Sequence, residues 1–219
     1  MADKQQLLRR RQIIANTSEP GLLYKWDFTK SLNDSVRGLG AIDNSQSTAL
    51  IRDSSGLHFN AISQEIVLPW VYTKNRAFEV DTSSFIFSGV SNYHIRFIMF
   101  GINSGSDVIN NTTTNCGFIF NKSNQRWELW WTNWFDSFSD WAAAGSRTAI
   151  VGTVRIELDN DWHIKIYVNG NYIGQCTSKA FTYGNETRCL RIGNADANTA
   201  GGQFYTATVT GARVYSLTS

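Results

Sequence analysis

Cysteine, proline and charge are all scarce in this chain of 219 residues, and each shortage narrows what it can be. Cys116, Cys176 and Cys189 are an odd, sparse set, which excludes a scaffold stapled by disulfides. The expectation is buried thiols in a chain made in a reducing cytoplasm, with a Cys176–Cys189 pair across a hairpin left open. Pro20 and Pro69 are the two prolines, and neither marks an interdomain linker. Charged residues make up 17% of the chain, against the roughly 25% usual in globular proteins. Ser, Thr and Asn together number 59, so the polar surface is built from hydroxyls and amides. No apolar run approaches the roughly 18 residues of a membrane span. The basic start MADKQQLLRRRQIIANTSEP also lacks the apolar stretch of a secretory signal, so no membrane partner is expected. No repeat at a period of about 20 to 50 residues points to a solenoid or propeller.

The charges that are present are unevenly placed. Residues 1–20 hold Lys4, Arg9, Arg10 and Arg11 against Asp3 and Glu19, which accounts for the whole net charge of +2 and leaves sixteen of each sign in the remainder. A neutral body offers no extended positive face for nucleic acid, which is therefore not expected as a partner. The first sixteen residues are good helix formers without Gly or Pro, yet too short for a stable isolated helix. Residues 1–20 therefore read as a helical or extended arm that orders on another chain, anchored by Leu7, Leu8, Arg9, Arg10, Arg11, Ile13 and Ile14. A frayed terminus and a nucleic-acid contact by the three arginines are the alternatives.

From Gly21 onward the pattern is short runs of alternating apolar and polar residues: LLYKWDFT, GLHFN, SQEIVLP, SSFIFSG, NYHIRFIMFGI, NCGFIFN, RWELWWTN, TVRIELD, WHIKIYVNG, NYIGQCT, RCLRIGN and FYTATVTGARVYSL. A dozen strands with no amphipathic helix after the arm predict one all-β domain over 21–219, an antiparallel sandwich or barrel. The clearest hairpin is WHIKIYVNGNYIGQC, in which Asn169-Gly170 suits a tight turn with positive φ. The segment Asn103–Asn115 reads as loop.

Three segments resemble the concanavalin A-like lectin/glucanase superfamily, especially its laminin-G-like and pentraxin-like branch. They are the opening LLYKWDFTKSLNDSV, the late hairpin RIELDNDWHIKIYVNGNYIG and the closing LRIGNADANTAGGQFYTATVTGARVYSL. The matching positions are Trp26, Asp27 and Phe28; Tyr167, Val168, Asn169 and Gly170; Ile192 and Gly193; and Thr210 to Tyr215, where the family's last-strand Gly is shifted or replaced. The resemblance implies a jelly-roll sandwich of two curved antiparallel sheets and leaves the ligand undefined. The opening strand, joined to a short arm without a signal, is also similar to domains of bacteriophage structural proteins.

A glucanase of this kind needs carboxylates held roughly 5 to 5.5 Å apart for retention. The family carries them at alternate positions of one strand. Here Glu79-Val80-Asp81-Thr82-Ser83-Ser84 lacks the third acid, so the pair reads as two solvated acids on a strand edge and no enzyme activity is expected. Glu128 stands between tryptophans without a second acid. Trp127, Trp130, Trp131, Trp134 and Trp141, with Phe135 and Asp136, form the densest aromatic segment. It could roof the core, make a subunit interface, or stack sugar rings. Asp159-Asn160-Asp161 reads as a hairpin turn and Asp196-Ala197-Asn198 as a loop; with His58, His94 and His163 far apart, no metal and no cofactor are expected. The expected function is a non-enzymatic phage virion subunit: a capsid decoration, head-fibre or tail-associated protein. Its partners would be other virion proteins and copies of itself. The alternative is a lectin-like module that binds a host surface glycan through the aromatic segment.

Overall fold

A computed structural model describes residues 19–45, 48–61, 64–88, 94–101, 116–121, 126–131, 134–137, 151–161, 163–176, 188–193 and 204–217. They contain fifteen strands: β1 Leu22–Asp27, β2 Ile42–Asp43, β3 Ile51–Asp53, β4 Gly56–Phe59, β5 Glu65–Tyr72, β6 Arg76–Ser88, β7 His94–Gly101, β8 Cys116–Asn121, β9 Arg126–Trp131, β10 Trp134–Ser137, β11 Gly152–Leu158, β12 Ile164–Val168, β13 Asn171–Cys176, β14 Arg188–Gly193 and β15 Phe204–Ser216. Sheet one runs β13-β12-β11-β6-β15-β4-β3, with β1 also paired to β15. Sheet two runs β10-β9-β8-β7-β14-β5-β2, and every pairing is antiparallel. The twelve strand-like runs all fall in strands. β2, β3 and β10 are too short to show a period of two and were not foreseen.

Strict alternation aims one side of each strand inward. Val154, Ile156 and Leu158 of β11, Ile164, Ile166 and Val168 of β12, Phe78 and Val80 of β6, and Val209, Ala212 and Val214 of β15 are buried. Ile66, Leu68, Ile98, Leu190 and Ile192 of sheet two belong to the same core, with Trp26, Phe28 and Phe59 among its largest members. Each large apolar side chain so buried contributes about 1.5–3 kcal/mol. This burial holds the two layers together.

β15 is the axis of sheet one. It pairs with β6 along its whole length, while β4 takes Ala207–Val209 and β1 takes Gly211–Tyr215 on its other edge. Where β4 gives way to β1, the register of β6 and β15 shifts on both sides of Val209. Extra residues there bend the strands and keep both halves facing the core. Pro69 sits in β5 beyond Ile66 and Val67, the residues paired to β2, so its missing N–H falls where, among the described residues, that side of the strand has no ladder to complete.

The Asn169-Gly170 turn forms as expected, with φ of 51° and 79°. Asn169 also bonds back to the start of β11: its Oδ1 accepts from the Thr153 amide at 2.8 Å, and its Nδ2 donates to the Val151 carbonyl at 3.1 Å. A β-carbon on Gly152 would collide with that amide, which explains the glycine there.

The opening motif is organised by Asp34, a buried carboxylate. It accepts the amides of Lys25 at 2.7 Å, Val36 at 2.9 Å, Arg37 at 2.6 Å and Leu39 at 3.4 Å. The Leu39 carbonyl in turn accepts from Trp26 Nε1 at 3.0 Å, tying the loop to the core. Asp34→Ala would strand these donors and should cost about 2–3 kcal/mol, read as a lower urea midpoint.

β13 lies at the edge of sheet one and β14 inside sheet two, so Cys176 and Cys189 are not partners across a hairpin. Glu19, counted with the arm by its charge, is bonded to sheet one. Residues 1–18, including Leu7, Leu8, Arg9, Arg10, Arg11, Ile13 and Ile14, lie outside the described residues, as do Trp141 and the two segments expected to be loops, 103–115 and 196–198.

Candidate functional site

The outward face of sheet one carries the acids singled out from the sequence, in a different setting. β6 is a central strand between β11 and β15, so Glu79 and Asp81 are not at a strand edge, and neither is simply solvated. Cross-strand register places Tyr172, Tyr167, Arg155, Glu79, Arg213 and Lys25 in one row across six strands. Glu79 is shared: Oε1 accepts from Arg155 Nη1 and Oε2 from Arg213 Nε, each at 2.8 Å. Arg213 Nη2 donates to Asp81 Oδ1 at 2.8 Å, which also accepts from Thr153 Oγ1 at 2.6 Å. Arg155 Nε donates to Glu157 Oε1 at 2.8 Å, and its guanidinium lies 5.3 Å from the centre of the Tyr215 ring. Beneath them Ala77, although outward in register, is fully buried.

Burial works against charge on Arg155, but Glu79 and Glu157 outweigh it and raise its pKa. Burial opposes Arg213 likewise, and Asp81 and Glu79 again outweigh it. The result is a fixed polar lattice. A carboxylate bonded through both oxygens to arginines is poorly placed to deliver or collect a proton.

The lattice reaches the start of the described chain. Glu19 Oε1 is 2.8 Å from Lys25 Nζ, and Glu19 Oε2 accepts from the Tyr215 hydroxyl at 2.7 Å. Burial first, then Glu19, pushes the Tyr215 pKa up. Bonds from Lys25 and Tyr215 lower that of Glu19. A depressed carboxyl pKa adds stability above its unfolded value of 4.5 and loses it as pH falls through the folded value. Glu19→Gln should therefore be less stable than the parent at neutral pH, by under about 1 kcal/mol for so exposed a pair, and converge with it in thermal melts as the pH falls below the folded value.

Sheet two ends in the aromatic hairpin. Trp127, Trp130 and Trp131 lie on β9; Trp134, Phe135 and Asp136 lie on β10, the edge strand. Trp131 pairs with Trp134 and Trp130 with Phe135. Leu129 shares a row with the core residues Ile98 and Ile192. Trp130 shares the alternate row with Gly117, Met99 and Arg191. Glu128 pairs with Ile119 and Ser137, so neither register partner is an acid.

Two smaller clusters serve turns. Asp159 Oδ1 accepts the amides of Asp161 and His163 at 2.8 Å, and Oδ2 lies 3.0 Å from His163 Nδ1. This is the turn expected from Asp159-Asn160-Asp161, although its three side chains also bring possible ligand atoms within 4.8 Å of one another. Asp53 Oδ1 accepts from Ser55 Oγ at 2.6 Å and lies 3.0 Å from His58 Nε2, closing the β3–β4 turn.

Two packed antiparallel sheets with this order define an all-β sandwich of the jelly-roll kind. No protein-family model matches the chain, and the curated proteins contain no match. Solved structures do resemble it. A Trypanosoma rangeli sialidase in complex with sialic acid aligns with a TM-score of 0.60 and 16% identity, over 90% of this chain and 31% of that one. Domain 4 of a GH43 extracellular arabinanase from Geobacillus stearothermophilus, in complex with arabinotriose, gives 0.58 and 13%, over 91% and 94%. The receptor binding domain of botulinum neurotoxin D gives 0.58 and 13%, over 90% and 49%. The chain spans about a third of the sialidase and about half of the toxin domain. At these identities the likeness is one of fold.

Proposed function

We propose that the chain is a non-catalytic, lectin-like recognition module. The observation that carries this is the commitment of Glu79 and Asp81 to Arg155, Arg213 and Thr153 on a rigid face. It favours a surface that holds a ligand over one that breaks a bond. Support comes from the company the fold keeps: two of the structures it resembles were solved with sugars bound, and the third is a receptor binding domain. The test is a glycan array probed with the whole chain, alongside incubation with laminarin-type glucans. Binding without turnover is expected. Laminarin cleavage that disappears in Glu79→Gln would overturn the reading.

A second reading, a subunit of a phage virion, is favoured by the bonds that seat Glu19 on Lys25 and Tyr215, because they give the preceding residues a fixed point of departure from the sandwich. Its partners would be virion proteins and further copies of the chain. Deleting residues 2–16 should abolish incorporation into particles while leaving the melting temperature unchanged. Particles that still carry the truncated chain would count against it.

A further inference from the structure

We infer that the β12–β13 corner of sheet one is a binding platform for a neutral oligosaccharide, an inference that rests on the lectin-like reading. Tyr167 and Tyr172 are cross-strand partners with ring centroids 5.6 Å apart at 63°. Tyr172 is 53% exposed, on β13, the outermost strand of the sheet among the described residues. The register of β12 and β13 shifts between Ile166 and Tyr167, a local irregularity of the kind that re-aims side chains. Val151, 52% exposed, belongs to the same corner, since its carbonyl accepts from Asn169 in the turn between the two strands. An aromatic ring fixed at a sheet edge offers a flat apolar surface with little side-chain entropy to lose. The C–H face of a sugar ring matches that surface.

Next to the rings stand groups suited to sugar hydroxyls. Tyr167 pairs in register with Arg155, two residues from Glu157 on the same face of β11, and burial first, then the Glu157 charge and a hydrogen bond to it, raise the Tyr167 pKa. Glu157 and Arg155 hold each other at 2.8 Å, so donor and acceptor are already oriented before a ligand arrives. Lys165 pairs in register with Glu157 and adds one further donor. Two cations, Arg155 and Lys165, face two anions, Glu157 and Glu79. The corner has no net charge to attract a sialylated or sulfated chain. That balance selects the neutral class.

Titration calorimetry of the whole chain with arabinotriose, laminaritriose and 3′-sialyllactose, after a glycan array to widen the neutral set, tests this. At least one neutral oligosaccharide should bind, and sialyllactose should bind more weakly. Tyr172→Ala should lower affinity about tenfold or more, and Tyr167→Phe by a few-fold, with unchanged melting temperatures. Trp130→Ala, on the other sheet, should bind as the parent does. Parent-like binding by Tyr172→Ala, or loss of binding in Trp130→Ala alone, would overturn the corner as the site and leave the lectin-like reading standing. Preference for sialyllactose would overturn the neutral class. A parent chain that binds no glycan would overturn both the inference and the reading beneath it.

Discussion

Glu65→Leu should cost about 3–5 kcal/mol of folding stability, seen as a lower urea midpoint at unchanged slope. Glu65 lies on β5 and Arg191 on the adjacent β14, both flanked by strands on either side in sheet two, with side chains 1% and 2% exposed. Arg191 Nη1 donates to Glu65 Oε1 at 3.1 Å, and Asn44 Nδ2 donates to the same oxygen at 2.8 Å. Removing the carboxylate takes the Glu65 counter-charge away from a buried guanidinium, and that share of the desolvation penalty is no longer offset. The double variant Glu65→Leu with Arg191→Met should recover most of the loss, because both charges leave together and apolar volume replaces them. A single variant within about 1 kcal/mol of the parent would show that the pair is not held away from water.

Gly193→Ala should cost about 3 kcal/mol or more, from crowding added to backbone strain. Gly193 has φ of 125°. A β-carbon there would press on the Gln64 carbonyl oxygen, with Phe59 Cε1 at 2.8 Å and Glu65 Cα at 2.9 Å. These atoms cannot retreat cheaply. Gln64 is itself fixed, accepting from the amides of Asn60 at 2.6 Å and Ala61 at 2.9 Å, and donating to the Ala49 carbonyl at 3.1 Å. Gly170→Ala is the matched control, with positive φ but open space around it, and should lower stability by only about 1 kcal/mol. Equal effects in thermal melts would remove crowding as the cause. The contrast also gives a physical reason for the Ile192-Gly193 motif: the end of β14 lies so close to the backbone at the start of β5 that only hydrogen fits between them.

The architecture was legible wherever one local rule decided it. Alternating runs marked twelve strands, and Asn169-Gly170 marked its turn, since both depend on residues close in sequence. Glu79 and Asp81 were misread for want of partners. An acidic pair at alternate positions looks solvated until Arg155 and Arg213, far away in sequence, arrive on either side. A signal was present in the shared period of two in Thr153-Arg155-Glu157, Glu79-Asp81 and Arg213-Tyr215, which marks three strands with a common polar face. Glu65 offered less, because SQEIVLP gives no sign that its carboxylate meets Arg191 in the interior. Tyr167 was noticed as part of a turn motif. Its ring contact with Tyr172 needed the β12–β13 register.

The position of β15 has a consequence in time. Leu22 pairs with Tyr215, and Phe59 with Ala207, so strands made early wait for partners made nearly two hundred and about one hundred and fifty residues later. Until residues 204–216 leave the ribosome, β1 lacks its ladder partner and β6 is bare along one flank. Such non-local pairing gives a high contact order and folding in about milliseconds to seconds. Sheet one can close only after residues 204–216 have been made, and until then the nascent strands are most open to pairing with the wrong neighbour.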